Sequence, residues 1–267
     1  DGKSENAETG FKRAIKILEK SPQSQSRAYL ATALNNFAGL LSDQGKYVEA
    51  TEIYARSLQL RKELLGEGHP DVATVLHDLG QVYRSQGMCD EAEIKFDAAI
   101  AIYEKSSLGP DHPWLATALT NLGLLLKAKG MYTEASTHFQ RALEIRTESL
   151  GEGHPDVAVS LDNLAQLSES QGNLTEAKSL YKNMLEILKR HRGIDHPDVA
   201  ACRKKLSKMP RDEDDTDPKK RPRPNSSTTE SMETERPSDI KWEAMAPYVE
   251  QVFRAVIDGN DERKKDV

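Results

Sequence analysis

The sequence predicts an all-α chain built as a stack of helix pairs, and three observations predict it. A phrase recurs at a fixed period, apolar residues inside each copy fall at helical spacing, and glycine or proline punctuates each copy at the same places. Gly66-Glu67-Gly68-His69-Pro70-Asp71-Val72-Ala73 returns as Gly151 to Ala158, with weaker copies at Gly109 to Pro113 and Gly193 to Ala200. His69, His112, His154 and His196 are separated by 43, 42 and 42 residues. Gly45, Gly87, Gly130 and Gly172 step by 42, 43 and 42, and Ala50, Ala92, Ala135 and Ala177 step identically. A period of this length marks a solenoid whose units bury a shared core only by stacking.

Each unit reads as two helices. In the second unit the first helix spans about 70–86, with Val72, Val75, Leu76, Leu79, Val82 and Tyr83 at helical spacing. Pro70 suits the first helical position, because its φ is already helical and its missing N–H would be unpaired there. Asp71 then faces the positive end of the helix dipole. Gly87 stops the helix where a left-handed residue costs little. The second helix spans about 90–105, with Ala92, Phe96, Ala99, Ile100 and Tyr103 on one face. Gly80, Ala92 and Ala99 allow close approach of the pair, and Leu79, Tyr83 and Phe96 fill the space beside them. The units are expected at about 28–65, 70–108, 113–150 and 155–192. A half-unit at 5–21 presents Ala7, Phe11, Ala14 and Ile17, and a terminal helix at 197–208 carries a polar, basic exposed side, as a cap should.

Leu76-x-x-Leu79-Gly80-x-x-Tyr83, then Ala92-x-x-x-Phe96 and Ala99, resembles the tetratricopeptide repeat, with Leu76 where that motif often has Trp. Leu119, Leu122, Gly123, Leu126, Ala135, Phe139 and Ala142 follow it, as do Leu161, Leu164, Ala165, Ala177 and Tyr181, and Leu34, Phe37, Ala38, Leu41, Ala50 and Tyr54. The period of about 42, the Leu-Gly-x-x-His-Pro loops and the Asn-Leu-Gly or Asn-Leu-Ala turns resemble the kinesin light chain subclass. The resemblance covers residues 5–208. It implies a right-handed superhelical α-solenoid that binds a peptide or protein in a concave groove lined by the first helix of each pair.

In kinesin-light-chain-like repeats, asparagines two positions before the small residue contact cargo peptides. The resemblance carries that role to Asn36, Asn121 and Asn163, with Asp78 standing at the fourth position. An amide both donates and accepts, so a ladder of them can read an extended main chain. The alternative is that these residues brace neighbouring helices. Neighbours on the same face are the candidates for specificity: Thr32, Asn35, Thr74, His77, Gln81, Arg84, Thr117, Thr120, Lys127, Asp162, Gln166 and Glu169. Arg84 and Lys127 can attract an acidic ligand. Asn35 and Gly39 put no cation in the first unit, so a clamp for a terminal carboxylate is not expected. The resemblance further implies an acidic, Trp-containing peptide as ligand, and kinesin heavy chain as a partner through a segment not in this sequence. A general scaffold, or a regulatory domain of a larger enzyme, fits the same repeats.

The composition narrows the classes. The 267 residues carry 37 basic and 43 acidic side chains, a net charge of -6, which argues against a nucleic-acid binder. The longest apolar run, Leu122 to Leu126, is interrupted by Gly123 and is far too short to insert in a membrane. Cys89 and Cys202 are too few for a disulfide framework or a cysteine-rich metal site. The repeated histidines sit one per unit and are read as loop residues rather than ligands of one ion. No Gly-x-Ser-x-Gly or His-Glu-x-x-His motif and no phosphate-binding loop occurs. Neither catalysis, metal nor cofactor is expected. Asn173 and Thr175 read as turn and cap residues at a helix start.

The remainder is different material. Residues 209–238 are rich in Pro, Ser, Thr, Asp and Glu, with Met232 the lone apolar side chain between Pro210 and Asp239. Such a segment buries too little surface to offset its conformational entropy and reads as a disordered linker. Its acidic stretch, Asp212 to Asp217, precedes Lys219, Lys220, Arg221 and Arg223. That basic run is either a solvated charge cluster or a nuclear import signal, beside an otherwise cytoplasmic expectation. Within 239–267, Val249, Val252, Phe253, Val256 and Ile257 outline a short amphipathic helix. Trp242 is read as a staple of that helix, or as an occupant of the chain's own groove.

Overall fold

In the computed structural model, the structure describes residues 2–21 and 24–210. The expected linker from Arg211 onward, the basic run, Trp242 and the tail helix lie outside the described residues. The described part forms one unit ending at Pro210, and Met209 is still buried in its last core.

Ten helices follow one another among the described residues. They are α1 (Gly2–Glu19), α2 (Ser24–Asp43), α3 (Tyr47–Leu65), α4 (Pro70–Ser85), α5 (Cys89–Lys105), α6 (Pro113–Ala128), α7 (Tyr132–Leu150), α8 (Pro155–Ser170), α9 (Leu174–Arg192) and α10 (Pro197–Ser207). Helices α2/α3, α4/α5, α6/α7 and α8/α9 pair most closely, and each second helix packs on the first helix of the next pair. The result is an α-solenoid of four helix pairs, with α1 as a lone second helix and α10 as a lone first helix.

Two devices recur at the turns. Each of His69, His112, His154 and His196 sits at the N-cap of a first helix, and its Nδ1 accepts the backbone N–H two residues on, at 3.1–3.2 Å. The following prolines occupy the first helical turn. The loop histidines are therefore helix caps. At the other end of α4, Gly87 has φ 77°, its N–H bonds Arg84 O, and Met88 N–H bonds Tyr83 O at 2.9 Å. This pattern satisfies the last carbonyls of the helix and reverses the chain within three residues. The same six-residue closure recurs at Lys46, Met131 and Asn173. Asn173 holds the N-cap position of α9, but its side chain makes no capping bond, contrary to the sequence expectation.

Inside each pair a small residue faces an aromatic ring. A Cβ placed on Gly80 would lie 2.7 Å from Phe96, and one on Gly123 2.6 Å from Phe139. Where the small residue is Ala38 or Ala165, the second helix supplies Tyr54 or Tyr181 instead. All four rings are buried. On α1 the buried stripe is Phe11, Ile15 and Leu18, while Ile17, expected on that face, is 40% exposed. Phe11, Ile15 and Leu18 hold the positions that Phe96, Ile100 and Tyr103 hold on α5, so the stripe is that of the other second helices and Ile17 falls beside it; the Phe11 and Phe37 rings stack at 6.1 Å.

The stacking junctions differ from one another. Arg61 on α3 is buried and pairs with Asp71 at 3.1 Å. Tyr103 takes the equivalent place on α5 and lies 6.3 Å from the ring of Trp114, which stands where Asp71 and Asp156 stand in the neighbouring units. Arg146 on α7 is buried and donates to Thr120 Oγ1 at 3.1 Å and Ser160 Oγ at 2.6 Å. Polar arginine junctions thus flank an aromatic one along the stack.

Candidate functional site

The first helices α2, α4, α6 and α8 approach one another more closely than the second helices do, so they form the inner side of the stack. Along α4 the residues at i, i+3, i+4, i+7 and i+10 on that side are Thr74, His77, Asp78, Gln81 and Arg84, all half-buried. The opposite side of the same helix is the core, with Val75, Leu79 and Val82. Helical periodicity alone places the equivalent column over the wall in every unit.

The wall is tied from unit to unit by a repeated clasp. Asn35 Nδ2 donates to Asp78 Oδ2 at 3.2 Å. Asn121 Nδ2 lies 2.8 Å from His77 Nε2. Lys205 Nζ donates to Asp162 Oδ1 at 2.5 Å. In each case a residue of one first helix meets a residue one position further along on the next.

The proton positions in the middle clasp follow from its partners. Arg84 donates to Asn121 Oδ1 at 3.3 Å, which leaves the Asn121 amide nitrogen as donor to His77 Nε2. His77 then carries its proton on Nδ1, 3.4 Å from Asp78 Oδ1. Three units are joined by one polar chain running Arg84, Asn121, His77, Asp78, Asn35.

The sequence candidates therefore separate into two groups. Asn35, His77, Asp78 and Asn121 brace neighbouring helices, the alternative raised from the sequence. Asn36 and Asn163 are half-buried and make no side-chain hydrogen bond among the described residues. Thr120 is a correction: it is 7% exposed and points inward, its hydroxyl donating to Ala116 O at 2.7 Å and accepting from Arg146. A buried guanidinium without a carboxylate within ion-pair distance needs such acceptors, and that need turns Thr120 off the wall. Thr117 is exposed and back-bonds to Pro113 O, and Thr32 likewise to Ala28 O. Thr74 joins Tyr103 Oη at 3.1 Å, and burial pushes that phenol up to about 12.

Two cations on the wall make no ion pair with a carboxylate among the described residues. Arg84 bonds Asn121, and Lys127 reaches Gln166 Oε1 at 3.5 Å, their sole side-chain partners among the described residues. Burial lowers both below their ordinary range. The carboxylates nearest Lys127 are claimed elsewhere. Asp162 accepts from Lys205 and from Gln166, and Glu169 accepts from Tyr181 Oη at 2.6 Å. Gln81 is half-buried beside His77.

Sequence reasoning did not single out Arg146, Ser160 and Lys205 as parts of this arrangement. An arginine at the helical spacing of Phe139 and Ala142, on an otherwise apolar face, was the available sign for the first. Among the described residues, no group of three or more His, Cys, Asp or Glu side chains is placed to hold a metal ion, and no helix is long and apolar enough to cross a membrane.

Stacked helix pairs with a polar wall on their first helices define a helical-repeat binding protein. The tetratricopeptide repeat family model matches residues 29–105, 95–148 and 114–190, and the chain belongs to that family. Solved structures agree on the fold. BtubC (BKLC) from P. vanneervenii superimposes with a TM-score of 0.64 at 21% identity, covering 87% of this chain and 97% of that one. A kinesin light chain candidate from Podosopora anserina, with nearly identical TPR-like repeats, gives 0.59 at 22% identity over 72% of this chain and 90% of that one. A point variant of that Podosopora anserina protein gives 0.59 at 18% over 90% and 98%. The two Podosopora anserina neighbours are thus kinesin-light-chain-like proteins of TPR-like repeats. A comparison with curated proteins finds no match.

Proposed function

We propose that the chain is a noncatalytic interaction module that binds an extended peptide of a partner protein along the wall of α2, α4, α6 and α8. The observation that carries this reading is the pair of half-buried wall cations, Arg84 and Lys127, one unit apart and without an ion-paired carboxylate among the described residues. Half-buried cations with no carboxylate at ion-pair distance favour a ligand that brings one. Asn36 and Asn163 add free donors and acceptors for its main chain.

The finer reading is a kinesin-light-chain-like cargo adaptor for acidic, Trp-containing peptides, joined to kinesin heavy chain through a segment outside the described helices, and working in the cytoplasm. It rests on the family resemblance and the fold of the neighbours. Nuclear entry through Lys219 to Arg223 is a separate proposal, tested by imaging a tagged chain with and without those four cations.

A fluorescence-anisotropy titration of the full chain with a fluorescein-labelled acidic Trp peptide tests the ligand. Binding near micromolar, about -8 kcal/mol, is expected for a segment that must order on binding. It should weaken with salt and with Arg84→Glu. No binding by the folded chain would sink this specificity and leave a scaffold for another protein segment.

A further inference from the structure

The inner clasp closes three of the four junctions between successive first helices. Asn35–Asp78, His77–Asn121 and Asp162–Lys205 each consume the polar groups that face one another across the wall. The junction between α6 and α8 is different. The residue equivalent to Asn35, His77 and Asp162 is Thr120, and Arg146 holds its hydroxyl inside. Arg146 is fixed in turn by Ser160 on α8 at 2.6 Å. Asn163, at the position that would answer Thr120 across the wall, is left half-buried, its amide making no hydrogen bond among the described residues.

The surroundings of Asn163 are specific. Val159 lies one turn earlier on the same face of α8 and is 51% exposed. Gln166, one turn later, is met by Lys127 of α6. A donor–acceptor pair, an apolar side chain and a cation with no ion-paired carboxylate among the described residues therefore stand together at this one junction. Among the other exposed large apolar side chains, Tyr29 and Trp114 stand at the starts of α2 and α6, Trp114 against the rings of Tyr103 and His112, while Val48, Ile94 and Ile194 are on second helices or loops.

We infer that the α6–α8 junction is the point at which the wall reads its ligand, and that it takes an extended peptide bearing an acidic side chain beside an apolar one. The inference rests on the peptide-binding reading above and narrows it from a ladder of asparagines to one open rung. Asn163 pairs with the peptide main chain, Lys127 with the acidic group, and Val159 with the apolar neighbour. Arg146 is a positioning residue: it keeps Thr120 from closing the rung and touches no ligand.

A phage-displayed library of random 12-residue peptides, panned against the full chain, supplies the probe without assuming a sequence. The best binder is synthesised with fluorescein and titrated against wild type, Asn163→Ala, Lys127→Glu and the second-helix control Lys95→Glu. Selected peptides should share an acidic residue next to an apolar one. Asn163→Ala should weaken binding at least tenfold, and Lys127→Glu at least tenfold with loss of the acidic preference in a second panning. Lys95→Glu should leave affinity within twofold. Asn163 makes no internal side-chain bond, so its variant should unfold at the wild-type temperature, which circular dichroism checks. A binder that is indifferent to Asn163 and Lys127 would overturn this inference while leaving the peptide-binding reading in place. A panning that yields no binder to the folded chain would overturn both.

Discussion

Gly123→Ala tests the packing argument on which the stack rests. The new methyl would lie 2.6 Å from Phe139 Cε1, 2.8 Å from Cδ1 and 3.1 Å from Cζ, whereas ordinary contact begins near 3.4 Å. The ring must retreat by about 0.8 Å inside a core where Phe139 is 1% exposed. Overpacking of this kind costs about 1–3 kcal/mol. Alanine returns about 1 kcal/mol through its higher helix propensity. The net expectation is destabilisation of about 0–2 kcal/mol. Gly10→Ala in α1 supplies the control, because nothing lies within 4 Å of the added carbon. It should stabilise by up to about 1 kcal/mol. The difference between the two variants, about 1–3 kcal/mol, isolates the clash from the propensity. Urea unfolding followed by far-ultraviolet circular dichroism reads both. Adding Phe139→Leu to Gly123→Ala should cost less than the two single changes together, since the smaller side chain makes room. If Gly123→Ala stabilises as much as Gly10→Ala, the close approach of α6 and α7 is not what the structure describes.

Arg146→Leu should leave thermal stability unchanged or raise it by about 1 kcal/mol, because a buried cation is replaced by the residue type that Leu188 provides one unit on. Thr120 and Ser160 keep their own helical carbonyl partners in that variant. The double change Thr120→Val with Ser160→Ala should instead lose about 3 kcal/mol by stranding the guanidinium, and calorimetry separates the two. His154→Ala should cost about 1 kcal/mol in urea unfolding by removing the cap of α8, and His154→Asn should restore most of it. Hydrogen bonds from Lys12 first and Lys46 second hold the Glu8 carboxyl down to about 2. A depressed carboxyl stabilises the fold above its unfolded range and loses that contribution as pH falls towards 2. Amide exchange in α1, corrected for intrinsic rates, should therefore rise between about pH 5 and pH 2, and Lys46→Ala should flatten that rise.

The repeat frame was legible because every level of the sequence agreed. The 42-residue step, the His-Pro caps and the Gly turns each mark the same boundaries, and the helices begin and end within a few residues of them. The half-unit was read with less success. Ile17 continues the Phe11 and Ala14 spacing at i+3, but the buried stripe keeps the positions that Phe96, Ile100 and Tyr103 hold on α5, which on α1 are Phe11, Ile15 and Leu18. The wall was legible as a column of positions and not as a set of bonds. Which of His77 and Asp78 meets Asn121, and which meets Asn35, depends on the offset between neighbouring units. Asn35 and Asp78 are 43 residues apart and His77 and Asn121 are 44 apart. Thr120 was misplaced because its direction is set by Arg146, a residue 26 positions away. A side chain whose direction is set by the paired helix leaves no sign in the spacing of its own helix.

The central claim is that the first helices, and not the second, form the binding surface. Amide hydrogen exchange of the full chain, with and without a saturating acidic Trp peptide or the panned binder, tests it most directly. Slower exchange concentrated in α4, α6 and α8, strongest around Asn163, is the predicted result. Slowing confined to α3, α5 and α7 would place the ligand on the outer face and contradict the account.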